Sequence, residues 1–169
     1  MSGVTGLPAW AKKLPLTMIS AVGEKFEVDP NLIAAIIQVE SGGVRYRLRA
    51  EPTFDYLVAP ERWAKALGIT KDTEVMCQKT SWGLMQVMGG TARDLGYEDH
   101  LVELVEAEIG IYWGTKYLAK QLKKYQTIKG AAAAYNAGSL RIGKDGKIVN
   151  QVYVDKVMAL LAQLRGETV

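Results

Sequence analysis

The chain has 169 residues, 49% hydrophobic and 23% charged, with 21 Lys and Arg against 18 Asp and Glu. That length and mixture fit a single globular domain able to bury its own core, and exclude a disordered chain, a collagen or a low-complexity array. A net charge of +3 is too thin for the cationic stripe of a nucleic-acid binder and fits attraction to a polyanionic surface better.

Trp10, Leu14, Ile19 and Val22 predict a first helix, interrupted near Pro15 and ending by Gly23. With Lys12 and Lys13 it reads as an amphipathic helix, not a signal peptide, and no apolar run reaches the ~20 residues of a membrane span. Asp29-Pro30 starts a helix that is apolar nearly all round from Leu32 to Val39 and ends at Glu40-Ser41-Gly42-Gly43. Residues 44–60 are polar and aromatic and predict an irregular lobe or short strands, the chain's only β content. Within it, Arg45, Arg47 and Arg49 read as a solvated loop. Pro60 to Leu67 predicts a short helix, 68–80 a loop, and Ser81 to Met88 a short apolar segment. Thr91-Ala-Arg-Asp94 has capping-box form and predicts another helix start. Leu101 to Tyr125 is the longest periodic segment. Thr127 to Ala137 predicts a small-residue helix, Lys144-Asp145-Gly146-Lys147 a hairpin-type turn, and Asn150 to Arg165 a final amphipathic helix. The expectation is one mainly α domain spanning 1–169.

Cys77, the single cysteine, reads as a buried structural thiol in a chain made in a reducing cytoplasm. His100, the single histidine, sits in a polar helix start, so no thiolate metal site and no histidine-based triad is supported. No metal constellation or phosphate-binding glycine loop is visible.

Glu40 ends an apolar helix. Burial, together with the partial negative charge of a helix C-terminus, favours a protonated carboxyl, which is what general acid catalysis requires. On position alone, an idle solvated carboxylate fits equally well. Three other segments mix aromatic or amide side chains with small residues: Ser81-Trp82-Gly83-Leu84-Met85-Gln86, Ala134-Tyr135-Asn136-Ala137-Gly138 and Tyr153-Val154-Asp155-Lys156-Val157. Aromatics stack on sugar faces and amides bond hydroxyl and N-acetyl groups, although each segment alone reads as a structural turn.

In this order and spacing, Glu40-Ser41, Gly83 to Gln86, Ala134 to Gly138 and Tyr153 resemble the soluble lytic transglycosylase (SLT) family, related to goose-type lysozymes, over roughly residues 17–160. The resemblance implies a lysozyme-like helical fold. It also implies cleavage of the β-1,4 bond between N-acetylmuramic acid and N-acetylglucosamine in peptidoglycan. It assigns Glu40 as catalytic acid and then base. Ser41 would orient it or contact the glycan, Met85 and Gln86 would line the cleft, Tyr135 and Asn136 would bind sugar and place the N-acetyl group, and Tyr153 would hydrogen-bond near Glu40. Tyr46 and Trp82 are further candidates for the cleft, with Trp82 as a core residue a close competitor. Trp63, Trp113 and Tyr117 read as core and Trp10 as a packing residue.

A lone carboxylate suffices for a transglycosylase, because the sugar's own C6 hydroxyl attacks and closes a 1,6-anhydro ring. Glu51 or Asp55 would instead supply the second acid of a hydrolytic lysozyme. For Glu51 a salt bridge to Arg47 or Arg49 is the structural alternative. A glycan-binding phage structural protein without turnover is a third reading. The expectation is a monomeric enzyme without cofactor, metal or nucleic-acid partner, acting on peptidoglycan strands without stable membrane insertion. A catalytic domain starting at Met1 with no clear signal peptide suits a bacteriophage endolysin, held in the host cytoplasm until holin-dependent release, or a virion-associated enzyme. A bacterial enzyme is the alternative source.

Overall fold

Proline placement sets the first two helices of the structure, a computed structural model that describes residues 6–167. Pro15 follows a 3-10 turn, Ala11–Lys13, and precedes α1, Leu16–Phe26. The helix does not end by Gly23. It runs to Phe26 and closes where Glu27 takes a left-handed φ of 55° and Val28 N–H bonds back to Gly23 O at 2.9 Å. Gly23 is a packing residue, since a Cβ there would lie 2.7 Å from Val28 O. The next helix, α2, spans Pro30–Ser41. Asp29 Oδ1 accepts from Asn31 N–H at 2.8 Å, as the Asp-Pro signal requires. Leu32 to Ile37 are all buried. Each large aliphatic among them contributes roughly 1.5–3 kcal/mol.

The chain divides into two compact units, one made of Met1–Val39 and Thr115–Val169, the other of Glu40–Gly114. In the first, Thr127 Oγ1 caps a helix by accepting from Gly130 N–H at 3.1 Å. That helix, Ile128–Ala137, packs on the last one, Gln151–Arg165, and its four consecutive alanines, Ala131 to Ala134, are all fully buried, so the helix is enclosed nearly all round. Between them, Ile142 and Ile148 pair as an isolated bridge around the expected turn. Arg165 Nη2 lies 2.6 Å from Asp29 Oδ2, joining the end of the last helix to the start of α2. Trp10 packs here, its indole N–H donating to Gln163 Oε1 at 3.4 Å.

The second unit holds a three-stranded antiparallel sheet, β1 (Leu48–Ala50), β2 (Thr80–Trp82) and β3 (Val87–Met88), in that order. Leu48 pairs with Trp82 and Ser81 with Met88. The β content is therefore not confined to 44–60: the apolar segment 81–88 folds back on itself as a hairpin. Helix α3 is Pro60–Leu67, and α4, Lys71–Gln78, replaces the expected loop. Thr70 caps α4 by accepting from Thr73 N–H at 3.1 Å. The helix was hidden because its buried face carries Glu74 and Gln78, not aliphatics. Helix α5 is Gly89–Asp94, so Thr91 lies inside it and does not cap it. The long periodic segment is also two elements, a 3-10 helix Leu101–Val105 headed by exposed His100 and then α6, Ala107–Tyr125, separated by extended Glu106. Trp63 is buried as expected, whereas Trp113 and Tyr117 are half-buried.

Glu74 and Arg93 form a fully buried ion pair, Nε to Oε1 at 2.8 Å and Nη2 to Oε2 at 3.1 Å. Gln78 Nε2 donates to the same Glu74 Oε1 at 2.9 Å, and Arg93 Nη1 donates to Tyr97 O and Asp99 O at 2.7 and 2.9 Å. The guanidinium lies 4.6 Å from the Trp63 ring centroid. This network ties α3, α4 and α5 together where an apolar core would otherwise stand. Cys77 on α4 is half-buried, not buried, and burial pushes its thiol up from the ordinary range, followed by Glu74 nearby.

Gly83 turns the β2–β3 hairpin with φ of 70°, and a Cβ there would sit 2.4 Å from Leu104 O. Gly83→Ala therefore combines left-handed strain with a backbone clash. We expect it to cost about 2–5 kcal/mol, read as a lower midpoint in chemical denaturation.

Candidate active site

The sequence candidates fall in both units. In the Glu40–Gly114 unit, Glu40 is the penultimate residue of α2 and half-buried, while Ser41 is fully buried. The glycines that follow take left-handed φ values of 65° and 79°, which ends the helix abruptly after Ser41. Ser41 Oγ accepts from Gly43 N–H at 3.2 Å. Ser41 O accepts from Val44 N–H at 3.2 Å and from Arg47 Nη1 at 3.3 Å. The turn that carries Glu40 is thus fixed by the main chain around Ser41.

Arg47 extends that fixation to the hairpin. Its carbonyl accepts from Gly83 N–H at 2.8 Å and from Gln86 Nε2 at 2.9 Å. Gln86 is 9% exposed, with a left-handed φ of 49°. Its amide also donates to Gly83 O at 2.9 Å, and its Oε1 lies 3.0 Å from Ser81 Oγ. Both ends of the Gln86 side chain therefore serve the lobe's internal bonding. Met85 is fully buried against Gly114, where a Cβ would approach its sulfur to 2.5 Å. Trp82 is 6% exposed, and its indole N–H donates to Cys77 O at 2.9 Å. The side chains that stand out into solvent are others. Tyr46 is 63% exposed, with the Arg45 guanidinium 4.9 Å from its ring centroid and Arg45 paired to Glu106.

Glu51 is half-buried, with its Oε1 2.5 Å from Arg49 Nε, and Asp55 is exposed. The Glu51 carboxylate is engaged by a neighbouring cation, the arrangement of the salt-bridge alternative. The arginine cluster is solvated as expected, with Arg47 and Arg49 exposed and Arg45 half-buried, and it is also bonded: Arg45 and Arg49 pair with acids and Arg47 bonds the α2 terminus.

In the other unit, Tyr135 is buried and Asn136 exposed, both in the last turns of the Ile128–Ala137 helix. Tyr117 lies under this segment, its ring centroid 5.1 Å from that of Tyr135 and its hydroxyl 3.4 Å from Ala134 O. Asn150 Nδ2 donates to Asn136 Oδ1 at 2.9 Å and to Ala133 O at 3.0 Å. Tyr153 is half-buried in the first turn of the last helix.

The roles of Arg47 and Asn150 escape a reading of the sequence. Arg47 contributes chiefly through a carbonyl, which no side-chain pattern reveals. Asn150 stands where a helix-capping Asn is expected, yet its side chain bonds another helix. Among the described residues no three His, Cys, Asp or Glu side chains group as metal ligands, and no helix is long and apolar enough to cross a membrane.

A family model described as the transglycosylase SLT domain matches residues 17–156, a span that includes Glu40-Ser41, Gly83 to Gln86, Ala134 to Gly138 and Tyr153. With a match over most of its length and a mainly helical fold around a small antiparallel sheet, the chain belongs to the SLT transglycosylase domain family of peptidoglycan lytic transglycosylases.

Proposed function

We propose that Glu40 is the catalytic acid and base of a lytic transglycosylase that leaves 1,6-anhydromuramic ends. In this reading Glu40 protonates the glycosidic oxygen between N-acetylmuramic acid and N-acetylglucosamine as that bond breaks. The same carboxylate then takes the proton of the muramic C6 hydroxyl as its oxygen bonds to C1. No water is consumed and no second carboxylate is needed, because the nucleophile is already tethered to the reacting sugar. The observation that carries the reading is the family match spanning Glu40-Ser41, on a helix end held by Ser41 and Arg47. The engagement of Glu51 by Arg49 supports the transglycosylase over a hydrolase. Tyr135 and Asn136 bind the glycan and place its N-acetyl group, while Gln86 and Met85 shape the lobe from inside. As an endolysin or virion-associated enzyme the protein would reach the wall from the host cytoplasm; the mild positive charge suits it to an anionic wall.

Mass spectrometry of muropeptides released from purified peptidoglycan tests the chemistry. Products one water lighter than reducing muropeptides are expected, and Glu51→Gln is expected to keep both their mass and most of their rate of release. Reducing muramic ends, lost in Glu51→Gln while the variant stays folded, would make water the nucleophile and Glu51 its base.

A further inference from the structure

We infer that Asn150 is a positioning residue that sets which end of the Asn136 carboxamide is offered to the glycan. The inference rests on the reading of Asn136 as a sugar-binding residue. The orientation follows from a chain of bonding requirements. Ala133 O, a backbone carbonyl, can only accept, so the atom of Asn150 that lies 3.0 Å from it is the amide nitrogen. That same nitrogen lies 2.9 Å from the Asn136 side chain, so the Asn136 atom facing it is an acceptor, Oδ1. The other end of Asn136, its NH2 group, is then the end turned away from Asn150 on an exposed side chain. Asn136 consequently offers a donor, and the matching group on an N-acetylated sugar is the acetamido carbonyl oxygen. Exchanged ends would present an acceptor, which that carbonyl cannot bond.

The location of Asn150 supports a dedicated role. It precedes the Gln151–Arg165 helix, where an Asn side chain normally caps its own first turn, yet it makes no such bond. Instead it reaches the last turns of the Ile128–Ala137 helix and bonds a carbonyl and the candidate binding side chain together.

A double-mutant cycle on the full chain tests this, with muropeptide release from purified peptidoglycan as the readout. Asn136→Ala and Asn150→Ala are each expected to lower kcat/KM roughly three- to tenfold, the effect of one oriented hydrogen bond. The double variant is expected to be no slower than Asn136→Ala alone. The rate advantage of N-acetylated over de-N-acetylated peptidoglycan should shrink in Asn150→Ala, which a residue serving only the fold would leave in place. If Asn150→Ala unfolds the protein, Asn150→Ser keeps a donor for Ala133 O and enters the same cycle. Losses that multiply in the double variant, an unchanged N-acetyl preference, or full activity in Asn150→Ala beside an impaired Asn136→Ala would each overturn the positioning role alone. Full activity in Asn136→Ala would instead overturn the sugar-binding reading on which it rests.

Discussion

Glu40→Gln is expected to fold like the parent and to release muropeptides about 10²–10⁴-fold more slowly, the usual contribution of a positioned general acid and base. Glutamine matches glutamate in shape, so Ser41 stays buried, its contacts with Gly43, Val44 and Arg47 survive, and the α2 terminus keeps its geometry. What disappears is the exchangeable proton. A neutral amide neither gives one to the glycosidic oxygen nor takes one from the C6 hydroxyl, so both halves of the reaction fail together. Far-UV circular dichroism and cooperative thermal unfolding of the purified variant should match those of the parent. Substantial wall lysis by the purified variant would remove Glu40 from its proposed role.

The largest effect on stability is expected at the buried ion pair. In Glu74→Ala, Arg93 remains without solvent access and its Nε and Nη2 lose their acceptors, while Gln78 Nε2 loses one as well. Removing one partner of such a pair costs about 3–5 kcal/mol, because the remaining charge stays desolvated and unpaired. At about 2–4 °C per kcal/mol for a chain of this size, calorimetry should show melting lowered by roughly 6–20 °C. Replacing both residues by methionine should recover part of that loss, since apolar groups of similar volume do not need the missing bonds. By contrast Glu61→Gln, which breaks the exposed pair with Lys71, should leave melting almost unmoved. A small shift in Glu74→Ala would mean that the network is not what holds α3, α4 and α5 together.

The helices with aliphatic periodicity or proline starts were legible in the sequence. Asp29-Pro30, the run Leu32 to Ile37 and the alanines of the Ile128–Ala137 helix each act through local chemistry, which spacing reports directly. Helix α4 was not legible because burial there is ionic: Glu74 and Gln78 point inward and look, in a one-dimensional pattern, like a solvated loop. The hairpin of β2 and β3 was missed for a different reason. Gly83 and Gln86, both at positive φ, make a turn whose signal resembles a binding motif, and Gln86 closes it from inside. For the site, the motif positions stand out in sequence. What lies behind them does not, because a backbone carbonyl at Arg47 and an asparagine distant in the chain leave no periodic trace.

One last consequence concerns how this protein can change. Strand β1 is held through its main chain, by the ladder to β2 and by bonds to the carbonyls of Arg47 and Arg49, while the side chains of Leu48, Arg49 and Ala50 are all exposed. A segment recognised by its backbone is indifferent to the letters it carries. Lineages can therefore rewrite Leu48 and Ala50 under selection for different walls while Arg49 keeps its pair with Glu51, and a laboratory library can be placed at those two positions on the same grounds.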